Sequence, residues 1–332
     1  MAAELLPVST RSDRVPNPQA QAVLDERERA GGRPMHKAPV AESRAGQYAW
    51  VPYMGAPQQV AAVENRFIPG PTAELPIRIY RPDAEADLPA LVAFHGGCWI
   101  VGNIDLADRP FRALANATGC TVVAVNYQKA PEHPYPAPLH DCFAGWLWTV
   151  EHAADLGIDP TRIGVLGDSA GGNLAAAVCL KARAEQAPEP AVQVLIYPAL
   201  DWALETPSAR DMAEGFGLTT VDMAWSWEQY VPDEQLRETP LVSPLRSPSL
   251  TGLPPAVVVT AGFDVLRDEA FTYAERLSQE GVLVHHHHYP GTIHGFLWMG
   301  AAVDECERMM GEIGASLEAL FGSSDALAKR PA

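Results

Sequence analysis

The sequence predicts an α/β fold in which a mostly parallel central sheet of about eight strands is flanked by helices. Short apolar runs alternate with stretches of helical length, a pattern typical of parallel strands that are covered on both faces. Before them, two β-type segments separated by a Pro-Gly-Pro turn predict a hairpin. At 332 residues, 47% of them hydrophobic, the chain is expected to form one large domain with a small cap.

The predicted elements alternate along most of the chain. Two helices are expected first, over residues 18–30 and 40–53. Strands are then expected at 59–68, 75–80, 90–94, 121–125, 162–166, 192–196, 256–260 and 282–285, with helices at 109–118, 138–154, 172–185 and 267–280 between most of them. Residues 201–240 interrupt this alternation and predict a long insert.

Charge and cysteine content limit the classes of partner and compartment. With 24 Lys+Arg against 41 Asp+Glu, the formal net charge is −17, which disfavours nucleic acid and anionic membrane surfaces as partners. No apolar run is long enough to span a membrane, and the N-terminus lacks the basic and apolar parts of a signal peptide. Five scattered cysteines without a CxxC motif indicate free thiols, so we expect a cytoplasmic protein.

The sequence Gly-Asp-Ser-Ala-Gly at 167–171 lies between a predicted strand and the following helix. A GxSxG sequence in this context is typical of a serine nucleophile, because its glycines remove Cβ atoms that would clash in a tight turn. The amides that begin the helix would stabilise negative charge near Ser169. The alternative is a phosphate-binding turn, which needs a longer glycine pattern or a Lys-Ser/Thr pair, and neither is present.

The sequence His-Gly-Gly-Cys-Trp at 95–99 follows the 90–94 strand and is a candidate oxyanion hole. Acyl transfer needs backbone N–H donors near the tetrahedral oxyanion, and adjacent glycines let the main chain approach closely. We expect the amides of Gly97, Cys98 and Ala170 to donate, with Gly96 shaping the loop. The alternative is an ordinary Gly-Gly turn at the end of a strand.

Among ten histidines, His294 has the best position for a general base. It lies in the loop after the last predicted strand, and catalytic residues of α/β sheets lie on loops at the carboxyl ends of strands. Asp264 follows the preceding strand in the same way. In the order Ser169, Asp264, His294, the histidine would move the serine proton and the aspartate would orient the imidazole. Asp268 and Glu269 are rivals for the acid, and a helix N-cap is the alternative role of Asp264.

Together these motifs resemble the hormone-sensitive-lipase-like branch of the α/β-hydrolases, which includes bacterial esterases. The resemblance extends from Glu64 to the C-terminus. It also rests on YQKAPEHPYPA at 127–137, LIYP at 195–198, SPL at 243–245, GLPP at 252–255, DVLRDE at 264–269 and YPGTIHGF at 289–296. It implies an α/β-hydrolase fold with a helical cap, contributed by the N-terminus and the 201–240 insert, over an acyl pocket.

We therefore expect four parts in the chain. Residues 1–55 would form an N-terminal arm and cap helices, and residues 56–200 and 241–322 the catalytic domain; residues 201–240 would form the cap insert and residues 323–332 a C-terminal tail. In this family dimers often pair across the last strand and helix. The resemblance thus implies a homodimer with the His285–His288 run near its interface.

Several features bear on how closely the family pattern applies. Cys98 occupies the place of the family's usual third glycine; it can donate its amide if its φ is negative, and its side chain would narrow the pocket. The HGGxW sequence also resembles that of kynurenine formamidases, which hydrolyse an N-formyl group.

The four histidines at 285–288 are interpreted first as partly exposed strand and second as an adventitious metal site. Since a dedicated zinc site needs ligands from separate elements, we expect no metal.

The insert supplies most of the candidate pocket residues. Met223, Trp227 and Tyr230 have the spacing of one helical face, and packing of the cap onto the sheet is the favoured interpretation. In the alternative, Phe216 and Trp227 line an aromatic or short-acyl pocket, with Trp99 as a further wall beside the oxyanion loop.

These observations predict a serine carboxylesterase that acts on soluble, short- to medium-chain esters through an acyl-enzyme, without a cofactor. The net charge of −17 argues against an interfacial lipase. Plant hormone receptors on this scaffold lose the catalytic histidine, which is present here as His294, and this favours an enzyme. The alternatives are an amidase or formamidase, a lactonase or deacetylase with the same triad, and a non-catalytic ligand-binding protein.

Overall fold

The computed structural model describes residues 15–85 and 87–322 and contains the predicted eight-stranded sheet. Its strands are β1 (Ala62–Ile68), β2 (Leu75–Arg81), β3 (Leu88–Phe94), β4 (Thr121–Val125), β5 (Ile158–Asp168), β6 (Gln193–Ile196), β7 (Ala256–Phe263) and β8 (Val284–Ile293). They are ordered β1-β2-β4-β3-β5-β6-β7-β8. The β1–β2 and β2–β4 pairs are antiparallel and the other pairs are parallel, which confirms the mostly parallel sheet and its hairpin start.

Helices cover both faces of the sheet. They are α1 (Pro18–Ala30), α2 (Val40–Gly46), α3 (Val51–Met54), α4 (Asp108–Thr118), α5 (Ala137–Glu151), α6 (Ala170–Ala184), α7 (Pro207–Asp211), α8 (Thr220–Tyr230), α9 (Glu234–Arg237), α10 (Arg267–Gln279) and α11 (Glu305–Gly322). One buried cluster combines residues of α5, α6, α8 and α10, and the other combines residues of α1, α4 and α11. Among the described residues, no helix has the length and apolar composition of a transmembrane segment.

The interior strand β7 is mostly apolar because its successive side chains enter opposite layers of the core. All eight residues of β7 are buried. Val258 belongs to the cluster under α5, α6 and α10, whereas Val257 and Val259 belong to the cluster under α4 and α11. The parallel strands β3, β5, β7 and β8 end at the same edge of the sheet, so the loops that follow them are brought together there.

Two helical regions differ from the sequence prediction. The single helix expected at 40–53 is divided into α2, a 3₁₀ turn at Gln47–Trp50, and α3. Pro52 accounts for the division, because it has no N–H to donate to the preceding turn and fits only at the start of a helix. The C-terminal helix α11 was not predicted, although the buried residues Cys306, Met309, Met310, Ile313, Leu317 and Leu320 show helical spacing.

The insert at 201–240 contains α7, α8 and α9 and contacts the N-terminal segment. Met223, Trp227 and Tyr230 on α8 are each no more than 1% exposed, as expected for packing onto the core. The ring Nδ1 and the backbone N–H of His36 bond to Oδ1 of Asp222 on α8, at 2.7 and 3.0 Å. Residues 1–14 of the predicted arm and the whole predicted tail lie outside the described residues.

Candidate active site

Ser169 lies in the turn between β5 and α6 with φ 56° and ψ −121°, a conformation that non-glycine residues rarely adopt. Close backbone contacts around this turn leave no room for side chains on its glycines. A Cβ on Gly167 would lie 2.0 Å from the carbonyl oxygen of Gly171, and a Cβ on Gly171 would lie 1.9 Å from that of Phe94. The glycines of the GxSxG sequence are therefore required by the backbone geometry that presents the serine.

Ser169, His294 and Asp264 form a continuous hydrogen-bonded series. The Ser169 Oγ and His294 Nε2 atoms are 2.9 Å apart, and His294 Nδ1 lies 2.7 Å from Asp264 Oδ2. The Asp264 side chain is fully buried, and its Oδ1 accepts the Leu266 amide at 2.9 Å. Because a carboxylate at Nδ1 holds the imidazole proton on that nitrogen, Nε2 is left to accept the proton of the serine hydroxyl.

The two rival acids bond elsewhere. Asp268 forms an ion pair with Arg267, with Nε and Oδ1 2.8 Å apart. Glu269 is buried, and its Oε1 accepts the backbone amide of Leu200 at 2.6 Å. Since α10 begins only at residue 267, Asp264 lies before the N-cap position, and its Oδ2 bonds to the imidazole.

Three backbone amides are candidate oxyanion donors. Within the described residues, the N–H groups of Gly97 and Cys98 donate no hydrogen bond, and Ala170 is the first residue of α6, where helix amides have no intrahelical acceptor. The Gly96 amide is different, because it donates to Oδ1 of Asp168 at 2.8 Å. Gly96 is therefore placed to shape the loop rather than to donate.

The condition set for Cys98 as a donor, a negative φ, is not met, although its amide is left without an acceptor among the described residues and stays a candidate donor. Cys98 has φ 54° and Trp99 has φ 60°, because the chain coils after Gly97, whose carbonyl accepts the amides of Ile100 and Val101 at 2.9 and 2.8 Å. A left-handed residue with a side chain costs about 1–2 kcal/mol. Cys98 is one of the residues that line the cavity in front of Ser169, and burial raises the pKa of its thiol to about 11.

Asp168, which sequence reasoning gave no role, joins three of the loops around the site. Its buried carboxylate accepts the Gly96 amide on Oδ1 and the indole N–H of Trp298 on Oδ2, both at 2.8 Å. Burial raises the pKa of Asp168 to about 6, and these two hydrogen bonds oppose the shift. Its place inside the GxSxG sequence is the signal that could have revealed it.

His95 is a buried residue that supports the oxyanion loop. Its ring stacks on Tyr127 with the centroids 4.5 Å apart, and its Nδ1 donates to the Gly96 carbonyl at 2.7 Å. The Tyr127 hydroxyl donates to the backbone carbonyl of His95, also at 2.7 Å. Burial lowers the pKa of His95 to about 3, so this ring is neutral and its role is structural.

A cavity of about 460 Å³ lies in front of Ser169, between the N-terminal helices and the catalytic loops. Met35, Trp50 and Leu218 line this cavity together with Ser169 and His294. A larger cavity of about 630 Å³, between the ends of α4 and α11, includes none of the triad residues. The smaller cavity is thus the candidate substrate pocket.

Comparison with known families decides how this arrangement is classified. The family described as alpha/beta hydrolase fold matches residues 91–298, which is more than half of the chain. The chain belongs to this α/β-hydrolase family. The resemblance to its hormone-sensitive-lipase-like branch is thereby confirmed.

The named relatives of this hydrolase act on esters. It is 41% identical over 264 residues to the carboxylic ester hydrolase LipN of Mycobacterium tuberculosis, covering 78% of this chain and 70% of the relative. It is 40% identical over 225 residues to an arylesterase of Saccharolobus solfataricus, covering 68% and 73%. The solved ester hydrolase EH1AB1 from the Lake Arreo metagenome superposes with a TM-score of 0.88 at 39% identity, covering 92% of this chain and 99% of that one.

The alternative interpretation, in which Trp99, Phe216 and Trp227 line the pocket, is not what the structure shows, because all three pack elsewhere. Trp99 is fully buried, stacks on Tyr230 with centroids 4.5 Å apart and contacts Trp227 at 4.3 Å. Phe216 packs against Phe263 with centroids 5.0 Å apart. None of the three lines the cavity in front of Ser169. Large aromatic side chains gain most when they are enclosed on all sides, and mutual stacking achieves this here.

The His285–His288 run lies in β8 as partly exposed strand, in line with its first interpretation. His286 Nε2 and His288 Nδ1 lie 2.9 and 3.0 Å from the same Thr260 hydroxyl, and His287 Nε2 lies 2.9 Å from that of Ser316. In residues 15–85 and 87–322 of the hydrolase, no three or more His, Cys, Asp or Glu side chains lie together so that they could hold a metal ion.

Proposed function

We propose that this α/β-hydrolase is a serine carboxylesterase for small esters with short- to medium-length acyl chains. The observation that carries the proposal is the hydrogen-bonded series Ser169–His294–Asp264 beside a cavity that Ser169, His294, Gly97 and Cys98 all line. A nucleophile, a base with an orienting acid, and free amide donors are the components that acyl transfer requires.

Acylation would begin when Ser169 Oγ attacks the ester carbonyl carbon and His294 Nε2 takes the serine proton. The resulting oxyanion would receive hydrogen bonds from the amides of Gly97, Cys98 and Ala170. Asp264 would stabilise the imidazolium, which then protonates the leaving alkoxide. The products of this half-reaction are an acyl-Ser169 ester and a free alcohol.

Deacylation would repeat the sequence with water as the nucleophile. His294 would remove a proton from the attacking water, and the same amides would stabilise the second oxyanion. Collapse of this intermediate would release the carboxylic acid and return the proton to Ser169 Oγ. The residues described require no metal or cofactor for these steps.

The dimensions of the cavity support a small substrate. A volume of about 460 Å³ is within the range of small-molecule sites. The N-terminal segment closes one side of the cavity through Met35 and Trp50, which favours compact esters over long acyl chains.

Steady-state hydrolysis of p-nitrophenyl esters from acetate to laurate, with wild type and Ser169→Ala in parallel, tests the function. We expect turnover that is highest on the short chains and lost in the variant. Turnover that persists in Ser169→Ala would contradict the proposed nucleophile. Failure of folded wild type to hydrolyse any of these esters would contradict the esterase assignment and favour an N-formyl amide substrate or binding without chemistry.

We also propose that the described helices of the N-terminal segment, within residues 15–55, form the cap together with residues 201–240. The bond between His36 and Asp222 supports this grouping because it joins one segment to the other. A homodimer and a cytoplasmic location stay predictions of the sequence. Size-exclusion chromatography with light scattering and cell fractionation test them.

A further inference from the structure

Arg27 is a partly buried cation in the wall of the active-site cavity. It projects from α1 and lines the same cavity as Ser169. Its guanidinium carbon lies 3.7 Å from the centroid of the Trp50 ring. Within residues 15–85 and 87–322, the Arg27 side chain forms no hydrogen bond and no ion pair with a carboxylate.

The other acidic and basic side chains lining this cavity have partners. Arg33 and Glu42 form a bidentate pair, with N–O distances of 3.1 and 2.7 Å. Asp222 is bonded to the ring and backbone of His36, and Asp168 accepts two N–H groups. Arg27 thus differs from its neighbours in the cavity, since its charge is not balanced by a described residue.

The contact with Trp50 accounts for one face of the guanidinium and leaves its edges open. A cation over an indole ring is attracted by the π-electrons, whereas the five N–H donors of an arginine lie in the plane of the group and need acceptors. Burial lowers the pKa of Arg27, which is the direction expected when a cation loses water without gaining an anion. An incoming anion would restore the lost solvation.

A carboxylate is the group that best matches these donors. Its two oxygens accept two parallel N–H bonds from a guanidinium, and such charge-assisted pairs are about twice as strong as neutral hydrogen bonds. A protein with a net charge of −17 repels small anions at long range, so a cation inside the cavity is needed if an acidic ester is to bind.

We propose that Arg27, which lies over the Trp50 ring, binds a free carboxylate of the substrate, so that the enzyme prefers esters that carry an acid group. This inference rests on the proposed esterase function, which it extends to a substrate class. Within that class, Arg27 holds the carboxylate while the ester carbonyl reaches Ser169 in the same cavity.

Two matched esters test the preference. 4-Acetoxybenzoate and 4-acetoxybenzamide share the acetyl group and the ring and differ in charge. We expect wild type to favour the carboxylate by about tenfold in kcat/KM. Arg27→Gln should lower that ratio about tenfold relative to wild type, because a neutral glutamine amide cannot replace the two charged N–H donors of the guanidinium. Comparing the ratio between variants cancels the intrinsic reactivities of the two esters.

Arg29→Gln is the control for the loss of one positive charge on α1. Arg29 is exposed, donates to the carbonyl of Asp25 at 3.0 Å and does not line the cavity. We expect it to keep the wild-type ratio. A ratio that is unchanged in Arg27→Gln, or reduced equally in both variants, would overturn the proposal and leave the Arg27–Trp50 contact as cap packing.

Binding measured without turnover separates this inference from the esterase assignment. Calorimetric titration with benzoate and benzamide should show binding of benzoate by wild type that weakens about tenfold in Arg27→Gln. If the esters are not hydrolysed but benzoate binding still depends on Arg27, the proposed function fails and the anion site stands. If the esters are hydrolysed and the affinity for benzoate is the same in wild type and Arg27→Gln, the proposed function stands and the anion site fails. The melting temperature of each variant verifies that it is folded.

Discussion

The indole N–H of Trp298 donates a 2.8 Å hydrogen bond to Oδ2 of Asp168, the residue immediately before the nucleophile. The other oxygen of this carboxylate accepts the Gly96 amide at the same distance. One buried side chain therefore connects the turn that carries Ser169, the oxyanion loop and the segment that follows His294. Such a connection matters because misplacing a catalytic group by about 1 Å can cost about 10²-fold in rate.

The titration of Asp168 predicts a specific dependence of stability on pH. Its pKa in the folded protein is about 6, above the ordinary value of 3.8, so between these values the folded state binds more protons than the unfolded chain. The contribution of Asp168 to the free energy of unfolding should therefore fall as pH rises from about 4 to 6, by about 3 kcal/mol. Urea unfolding of wild type and Asp168→Asn across this range measures the difference.

Trp298→Phe provides the matched comparison for Asp168. It removes a hydrogen bond that lowers the pKa of this carboxyl, so the fall in stability should move to higher pH. A difference between wild type and Asp168→Asn that does not change with pH would contradict the assignment of the titration to Asp168.

Asp264→Asn should lower kcat by about 10⁴ with little change in KM, because an asparagine favours the wrong imidazole tautomer. Asp268→Asn is the control, since Asp268 pairs with Arg267 rather than with His294. We expect this second variant to retain activity within about tenfold. Steady-state kinetics on p-nitrophenyl acetate compares them, and a comparable loss in both variants would show that the acid has been misassigned.

Substitutions at Cys98 separate the strained backbone from the thiol. Cys98→Ala and Cys98→Gly both remove the sulfur, but only glycine adopts φ 54° without strain. We expect the glycine variant to be more stable than the alanine variant by about 1 kcal/mol, measured by urea unfolding. Both should keep kcat within about tenfold, because the proposed donor is the backbone amide. A larger loss in both would assign a role to the thiol.

Much of the fold was predictable because its signals are local. The strand β4 and the helix α1 match their predicted bounds, since an apolar run and a proline-initiated helical pattern can each be recognised within a few residues. The division of α2 from α3 had an equally local signal in Pro52, which the periodicity outweighed.

The candidate site was predicted unevenly. Ser169, Asp264 and His294 occupy loops at the ends of predicted strands, and parallel pairing brings those ends to one edge of the sheet. The residues of the pocket wall were not predicted in this way. Trp99 follows the oxyanion loop and Trp227 lies in the insert, but both are buried against each other and do not face the cavity. The hydrophobicity of a side chain indicates that it will be buried, but it does not indicate which surface the side chain will pack against.

By itself the sequence determined the α/β class, the alternation of strands and helices, and the chain order of the nucleophile, acid and base. Periodicity and turn chemistry express these properties within short segments. Only the tertiary structure decided that Arg27 and Ser169 share a cavity, that Asp168 meets Trp298, and that Cys98 has a positive φ. The first two features depend on contacts between segments that are distant in the chain, and the third depends on a backbone conformation that such contacts impose. Residue type alone specifies neither the contacts nor the conformation.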